Sequence, residues 1–356
     1  MKQLIYIQKS IIQATLLLLI TILVSCETIH DFPGKDIADP TLIDVDIYLK
    51  LKQPLIMPNQ DEEKTEITSL HIAKGYRRRV LVEVYKFDDP KTPVLRAKQV
   101  IENDVLLSDG KVCINAKLNA TKYEVLVWVD YIKKEDVVDK FYNTHRKDGL
   151  HNISYITYSQ SEVDSDRDER TCAYGSTFLD LTEYRDEWNF HADTDVNLKW
   201  PIARYMLIAS DVDKYVTKVQ TKSQDFTKSS IEDYTCKVTY NGFFVPSGIN
   251  ASTGDLSDAK TGITYDADVH IDEVSGEVVV GMGYPFVAKD VVSKVDITVS
   301  IYDENGELVN TNGDVKFDVE RGKFSIYRGE LFTRSISPGV TVDQNYDGVI
   351  DVVLPD

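Results

Sequence analysis

The residues best suited to chemistry lie close to the C-terminal end, in Asp343-Gln344-Asn345-Tyr346-Asp347-Gly348-Val349-Ile350-Asp351. Oxygen donors at alternate positions, with a glycine for the sharp turn, are what a hard cation requires. Asp343, Asn345, Asp347 and Asp351 are the candidate calcium ligands. The twelfth position is Leu354 rather than a bidentate glutamate, so the loop is incomplete against the helix-loop-helix calcium pattern. An acidic turn leading into a last strand accounts for the same residues. No other cofactor is expected. The six histidines, His30, His71, His145, His151, His191 and His270, are scattered and form no zinc-helix pattern. No Gly-x-Ser-x-Gly elbow and no phosphate loop occurs. Carboxylates are so abundant that choosing two as a glycosidase pair would be arbitrary. The chain is therefore read as non-enzymatic.

The four cysteines are Cys26, Cys113, Cys172 and Cys236, and their spacing fits no zinc pattern. Cys113 and Cys172 could form a disulfide in an oxidising compartment; three buried thiols is the plainer alternative once Cys26 is set aside. Cys26 has a different context. Lys2 and Lys9 precede an apolar run from Ile11 to Val24, a charged region followed by a hydrophobic one. That run is shorter than the roughly 20 residues needed to span a bilayer. Leu23-Val24-Ser25-Cys26 resembles a bacterial lipobox, with the lipid-bearing thiol last. Residues 1–25 are then a lipoprotein signal peptide, and 26–40 are a polar tether containing Pro33, Gly34 and Pro40. Acyl chains on Cys26, at about 0.8 kcal/mol per buried methylene, would hold the body to an outer membrane.

The body is acidic, with a formal net charge of −18 for the whole chain. Such a surface repels nucleic acid, and no nucleic-acid partner is expected. Its pattern is that of strands. Ile43, Val45, Ile47 and Leu49 alternate with Asp44, Asp46, Tyr48 and Lys50 at a period of two. A second strand covers about Arg79 to Phe87 and stops at Asp88-Asp89-Pro90, and a further apolar segment lies near Val100 to Leu107. In Tyr123 to Tyr131 both alternating sets are apolar, since Leu126 and Trp128 face away from Val125, Val127 and Val129, so this strand is central and covered on both sides. The acid and arginine run Asp164 to Arg170 reads as a solvated loop. The pattern resets near Asp193 to Trp200. Ser210-Asp211 offers an N-cap for a short helix through about Val219. Val295 to Tyr302 alternates and ends in Asp303-Glu304-Asn305-Gly306, a hairpin signal. Many short strands with almost no helix give an all-β chain of two tandem antiparallel β-sandwich domains, residues 41–196 and 197–356.

Several stretches together resemble the fimbrillin-like lipoproteins of Bacteroides-type bacteria, in particular minor or anchor subunits of the FimB/Mfa kind. They are Leu126-Val127-Trp128-Val129-Asp130-Tyr131 with Phe141-Tyr142-Asn143, Asp168-Glu169-Arg170 with Tyr174-Gly175, and Trp200-Pro201-Ile202-Ala203-Arg204-Tyr205 with Ile208-Ala209-Ser210-Asp211-Val212. Tyr240-Asn241-Gly242-Phe243-Phe244-Val245-Pro246-Ser247-Gly248 and Arg321-Gly322-Lys323 with Gly329-Glu330-Leu331-Phe332-Thr333 complete the ordered set. The residues themselves read as structural: Trp128 as core, Arg170 and Arg204 as ion pairs or strand-end caps, and Gly242 and Gly248 as turn glycines with positive φ.

The resemblance implies transthyretin-like sandwiches, fimbrial subunits as partners, and assembly by strand exchange. In polymerising subunits the chain is cut after the first strand, behind a basic residue. Here Lys50, Lys52, Lys64 and Arg77-Arg78-Arg79 are available. An anchor would stay uncut and keep Ile43 to Leu49 in its own sheet. A surface glycan-binding or adhesin lipoprotein is the alternative, with Tyr155, Tyr158 and Tyr174 as possible exposed aromatics; buried sheet-face tyrosines are the plainer reading of the same residues. For the calcium loop, calorimetric titration of the body decides: binding heat is expected if the four oxygen-bearing residues form a site, and no heat at millimolar calcium rejects it.

Overall fold

A computed structural model describes residues 42–51, 72, 74–101, 112–135, 138–155, 168–185, 190–222, 224–241, 245–259, 263–272, 275–333, 341–342 and 349–353. The first half contains β1 (Leu42–Leu51), β2 (Tyr76–Lys86), β3 (Asp89–Ile101), β4 (Cys113–Asn119), β5 (Lys122–Lys133), β6 (Tyr142–Asn143), β7 (Ile153–Tyr155), β8 (Ala173–Asp180) and β9 (His191–Leu198). Then come β10 (Arg204–Ala209), helix α1 (Val212–Gln220), β11 (Thr235–Tyr240), β12 (Gly248–Ile249), β13 (Leu256–Ser257), β14 (Thr264–Asp268), β15 (His270–Ile271) and β16 (Val278–Gly283). The last are β17 (Ser293–Tyr302), β18 (Leu308–Val319), β19 (Phe324–Gly329), β20 (Thr341–Val342) and β21 (Val349–Val353). The fold is all-β. Among the described residues no helix is long and apolar enough to cross a membrane.

The sheets repeat. A three-stranded sheet β4-β1-β9 faces a four-stranded sheet β3-β2-β5-β8. Further along, β16-β10-β19 faces β14-β11-β17-β18 in the same spatial order. The directions also correspond. β1 runs antiparallel to β4 and parallel to β9, and β10 runs antiparallel to β16 and parallel to β19. The chain therefore builds one sandwich topology twice. The second copy is extended: β15 flanks β16, while β21 lies parallel to β19 and carries β20 on its far side.

Each sandwich has its own apolar filling. In the first, Ile43, Val45, Ile47 and Leu49 of β1 meet Val80, Val82 and Val84 of β2 and Val125, Val127 and Val129 of β5. In the second, Tyr205 and Leu207 of β10 meet Val238, Val299, Ile301 and Phe317. The period-two alternation of β-branched residues is what allows one face of each strand to fill these layers.

The outer face of β2 and β5 is buried as well, as the doubly apolar pattern of Tyr123 to Tyr131 requires. It is covered by a small sheet, β13-β12-β7-β6, in which β7 from the first half pairs with β12 from the second. Trp128, Tyr142, Tyr155 and Phe286 form a continuous aromatic stack there, with centroid separations of 5.2, 5.2 and 4.3 Å along it. Tyr155 donates to the Tyr284 carbonyl at 2.7 Å. Offset and edge contacts of this kind add roughly 0.5–1.5 kcal/mol per pair beyond burial.

That face also carries charge, and every charge has a partner. The Arg79 guanidinium donates to both oxygens of Asp130 and reaches Asp139 at 2.6 Å, with its side chain wholly buried. Burial alone would lower its pKa, but the two carboxylates outweigh that and hold it above the ordinary value. Glu83 accepts from Tyr85 at 2.5 Å and from the Leu150 amide at 2.8 Å, and pairs with Arg96. Asp168 receives Tyr284 and pairs with Arg204 at 3.0 Å.

This last cluster corrects the solvated-loop reading of Asp164 to Arg170. Asp168, Glu169 and Arg170 form a buried turn of 3-10 helix, and residues 164–167 lie outside the described set. The charges go inside because Arg204 and Tyr284 from the second half complete Asp168, and the Arg170 guanidinium stacks over the Tyr155 ring at 5.1 Å. Sequence periodicity also misses β3, because most of this long strand is exposed and its apolar signal is weak.

Removing the Arg79 charge should be severe. Arg79→Met leaves Asp130 buried without its cation and is expected to cost about 3–5 kcal/mol, read from the urea unfolding midpoint. Lys117→Met, which breaks the exposed pair with Asp44, should change stability by about 1 kcal/mol or less.

Candidate assembly interface

Strand β1 is the element on which a partner could act. It is the middle strand of a three-stranded sheet, hydrogen-bonded to β4 from Leu42↔Asn119 to Tyr48↔Cys113 and to β9 from Asp44↔His191 to Leu51↔Leu198. β4 and β9 do not pair with each other. Its inward residues Ile43, Val45, Ile47 and Leu49 are at most 1% exposed. At roughly 1.5–3 kcal/mol per buried aliphatic side chain, their burial amounts to on the order of 10 kcal/mol. That is comparable with the whole stability of an ordinary domain. A body without β1 would expose two rows of unpaired amides and carbonyls beside an apolar trough.

The outward face of the same sheet is polar. Lys117 pairs with Asp44 at 3.2 Å and Lys50 with Asp195 at 2.6 Å. Between these pairs, His191 Nε2 lies 3.1 Å from Asp46 and 3.2 Å from Asp193, and Asn115 donates to Asp46. Burial and the Asp46 carboxylate push the nearby Cys113 thiol up. Sequence reasoning passed over this cluster because its members are far apart in the chain. The available signal was two stretches of alternating aspartates, Asp44/Asp46 and Asp193/Asp195, which the parallel pairing of β1 with β9 brings side by side.

Several sequence expectations can be placed. Cys26, the signal peptide and the tether lie outside the described residues, as do Asp343, Asn345, Asp347, Tyr158, Lys52, Lys64 and Gly242. Asp351 falls in β21, where only the backbone is described. Trp128 is core. Tyr155 and Tyr174 are buried, so they do not form an exposed aromatic platform. Gly248 has no positive φ; it sits in β12, where the Ser257 side chain approaches too closely for a Cβ. The three described cysteines are free, Cys172 and Cys236 buried and Cys113 partly exposed, which is the plainer alternative of unpaired thiols and not the disulfide. Asp211 occupies the N-cap position of α1, its carbonyl accepting from the Tyr215 amide at 3.0 Å, but its side chain makes no cap hydrogen bond. Its carboxylate accepts instead from the amides of Leu331, Phe332 and Thr333, fixing the chain where it leaves β19.

The basic residues behind β1 differ in access. Arg77, Arg78 and Arg79 lie inside β2, paired on one side with β5 and from Arg78 onward also with β3. A protease cannot thread that segment without unfolding the sheet. Lys50 is at the end of β1 with its side chain about half exposed, at 42%.

Comparison with known proteins adds the following. A family model described as a family of unknown function, DUF6562, matches residues 41–355. The chain belongs to that family. The matched span begins one residue before β1. No curated protein matches the chain. Among solved structures it is similar to a candidate polysaccharide-binding protein from Bacteroides thetaiotaomicron, at 12% identity and a TM-score of 0.41, covering 76% of this chain and 79% of that one. It is similar also to a candidate adhesin from Bacteroides ovatus, at 13% identity and 0.41, covering 77% and 76%. A third is the fimbrial anchor protein Mfa2 from Porphyromonas gingivalis, at 12% identity and 0.37, covering 76% and 82%.

The trough under β1 can be tested directly. A body truncated before Gln53 is expected to bind a hydrophobic dye and to take up a synthetic peptide of Leu42–Leu51, which suppresses the dye signal. A peptide carrying Val45→Asp should bind at least about tenfold more weakly, because it would bury an unpaired carboxylate.

Proposed function

We propose that this chain is an outer-membrane lipoprotein that anchors or completes a fimbrium, held to the membrane through Cys26 and to neighbouring subunits through β-strand exchange. The observation that carries the reading is the position of β1. The first described strand is the central strand of its sheet, and only 15 residues separate Leu42 from Cys26 in the sequence. In an uncut chain, tension on a fibre would pass from the body through β1 to the acyl chains. In a chain cut behind β1, the body would leave the membrane and its trough would accept a strand from another subunit.

The uncut form is favoured. β1 is paired on both sides, and Arg77 to Arg79 are enclosed by β2 and its neighbours. A second feature supports contact with a neighbour elsewhere. β21 and β20 extend the β16-β10-β19 sheet beyond the repeated topology, so the C-terminal strands are an added edge. An added edge is held by fewer interactions than a central strand and is the easier element to exchange.

The alternative, a surface glycan-binding adhesin, is not favoured by the tyrosines named for it, since Tyr155 and Tyr174 are buried. Protease shaving of intact cells, combined with a pull-down on the tagged full chain and analysis of its N-terminus, decides between these. The expected result is a surface-exposed protein with acylated Cys26 and one co-purifying fimbrial subunit. A mature start near Lys52, Lys64 or Arg79 would make it a polymerising or tip subunit. Saturable binding on a glycan array without a co-purifying subunit would favour the adhesin.

A further inference from the structure

We propose that Asp46, His191 and Asp193 form a binding site for a zinc-class divalent cation on the outer face of the β4-β1-β9 sheet, and that the ion locks β1 to β9. The second part rests on the proposed role of β1; the first does not.

The ligand set is an imidazole with two carboxylates, which suits zinc and its first-row neighbours and is a poor set for calcium. One ligand atom from each residue can be chosen so that all lie within 4.8 Å of one another. His191 Nε2 is 3.1 Å from the Asp46 oxygen and 3.2 Å from the Asp193 oxygen. Ligands held about 2.0–2.2 Å from zinc stand roughly 3–3.5 Å apart, so the imidazole already has coordination-sphere spacing to each carboxylate, and the two carboxylate oxygens stand within 4.8 Å of each other.

Charge supports the same reading. The lysines that pair on this face are engaged with the flanking aspartates, Lys117 with Asp44 and Lys50 with Asp195. Asp193 and Asp46 face His191, and among the described residues Asp46 has no lysine or arginine of its own, its other donors there including the neutral Tyr48 hydroxyl at 3.4 Å and the Asn115 amide. A dication with a neutral imidazole would balance the two carboxylates. Asn115 already orients Asp46 from the third strand through its side-chain amide. Such outer partners fix ligand geometry in metal sites.

The backbone register explains why the site would act on β1. Asp46 lies on β1 directly opposite Asp193 on β9, and His191 is opposite Asp44. An ion held between them is bound only while the two strands are paired. Metal binding would then add its free energy to the retention of β1 by mass action.

The test uses the full chain, stripped with a chelator and titrated with zinc chloride in a calorimeter. One binding event is expected, and His191→Ala and Asp46→Asn should each abolish it. His191 is more than half exposed, so His191→Ala should melt like the wild type in chelator and is the variant that separates binding from folding. Hydrogen exchange of the β1 amides supplies the second readout. Zinc at roughly ten times its dissociation constant should slow that exchange about tenfold in the wild type and leave His191→Ala unchanged. No heat, or equal heat with His191→Ala, overturns the site. Normal zinc binding with unchanged β1 exchange overturns the lock and leaves the proposed anchoring role untouched.

Discussion

Strand β1 closes the first sandwich. It supplies the inner apolar row of the three-stranded sheet and the only hydrogen-bonded connection between β4 and β9 in that sheet among the described residues. Everything packed on that layer depends on it. Val80, Val82, Val84, Val125, Val127 and Val129 are buried because β1, β4 and β9 cover them. This dependence is unusual for an N-terminal strand, which is more often an edge that can fray. A central strand is held strongly, because both of its ladders must break before it can leave.

The second constraint is electrostatic. The face where the two halves meet contains Arg79, Glu83, Asp130, Asp168 and Arg204, all buried. Such groups are tolerated only when paired and hydrogen-bonded. Their partners come from both halves. Asp168 is completed by Arg204 and Tyr284, and β7 pairs with β12 across the same face. Separating the halves would break the Asp168–Arg204 pair and its Tyr284 hydrogen bond, while Arg79, Asp130 and Glu83 keep their partners within the first half. The aromatic stack through Trp128, Tyr142, Tyr155 and Phe286 contributes affinity, while the ion pairs specify one arrangement.

Much of this was legible in the sequence. The alternation in Ile43 to Leu49 and Val295 to Tyr302 marked strands that the structure contains, and Asn305-Gly306 marked the β17–β18 hairpin, where Gly306 has φ of 79°. Leu126 and Trp128 announced a strand covered on both faces. Two sandwiches were expected, but their shared strand order was not legible, because equivalent strands share hydrophobic pattern but not residue identity, and pairing order is a non-local property. The burial of Asp168 to Arg170 was hidden for a related reason. A charged run reads as solvent-facing unless the residues that neutralise it are known, and Arg204 and Tyr284 are distant in sequence. The Asp46, His191 and Asp193 cluster exists only through the parallel register of β1 and β9.

The repeat also separates two ways of adding a strand. In the second copy, β21 joins the open side of β19 in parallel register, an addition that leaves every existing pair intact. The equivalent place in the first copy is the far side of β9, where the described residues put no strand. Addition there needs no opening of the sheet and should be limited mainly by encounter. Replacement of β1 is different. Both of its ladders must break and its four inward side chains must leave the core before a substitute can enter, so the rate follows sub-global opening of that sheet. An intact chain therefore keeps β1 on kinetic as well as thermodynamic grounds.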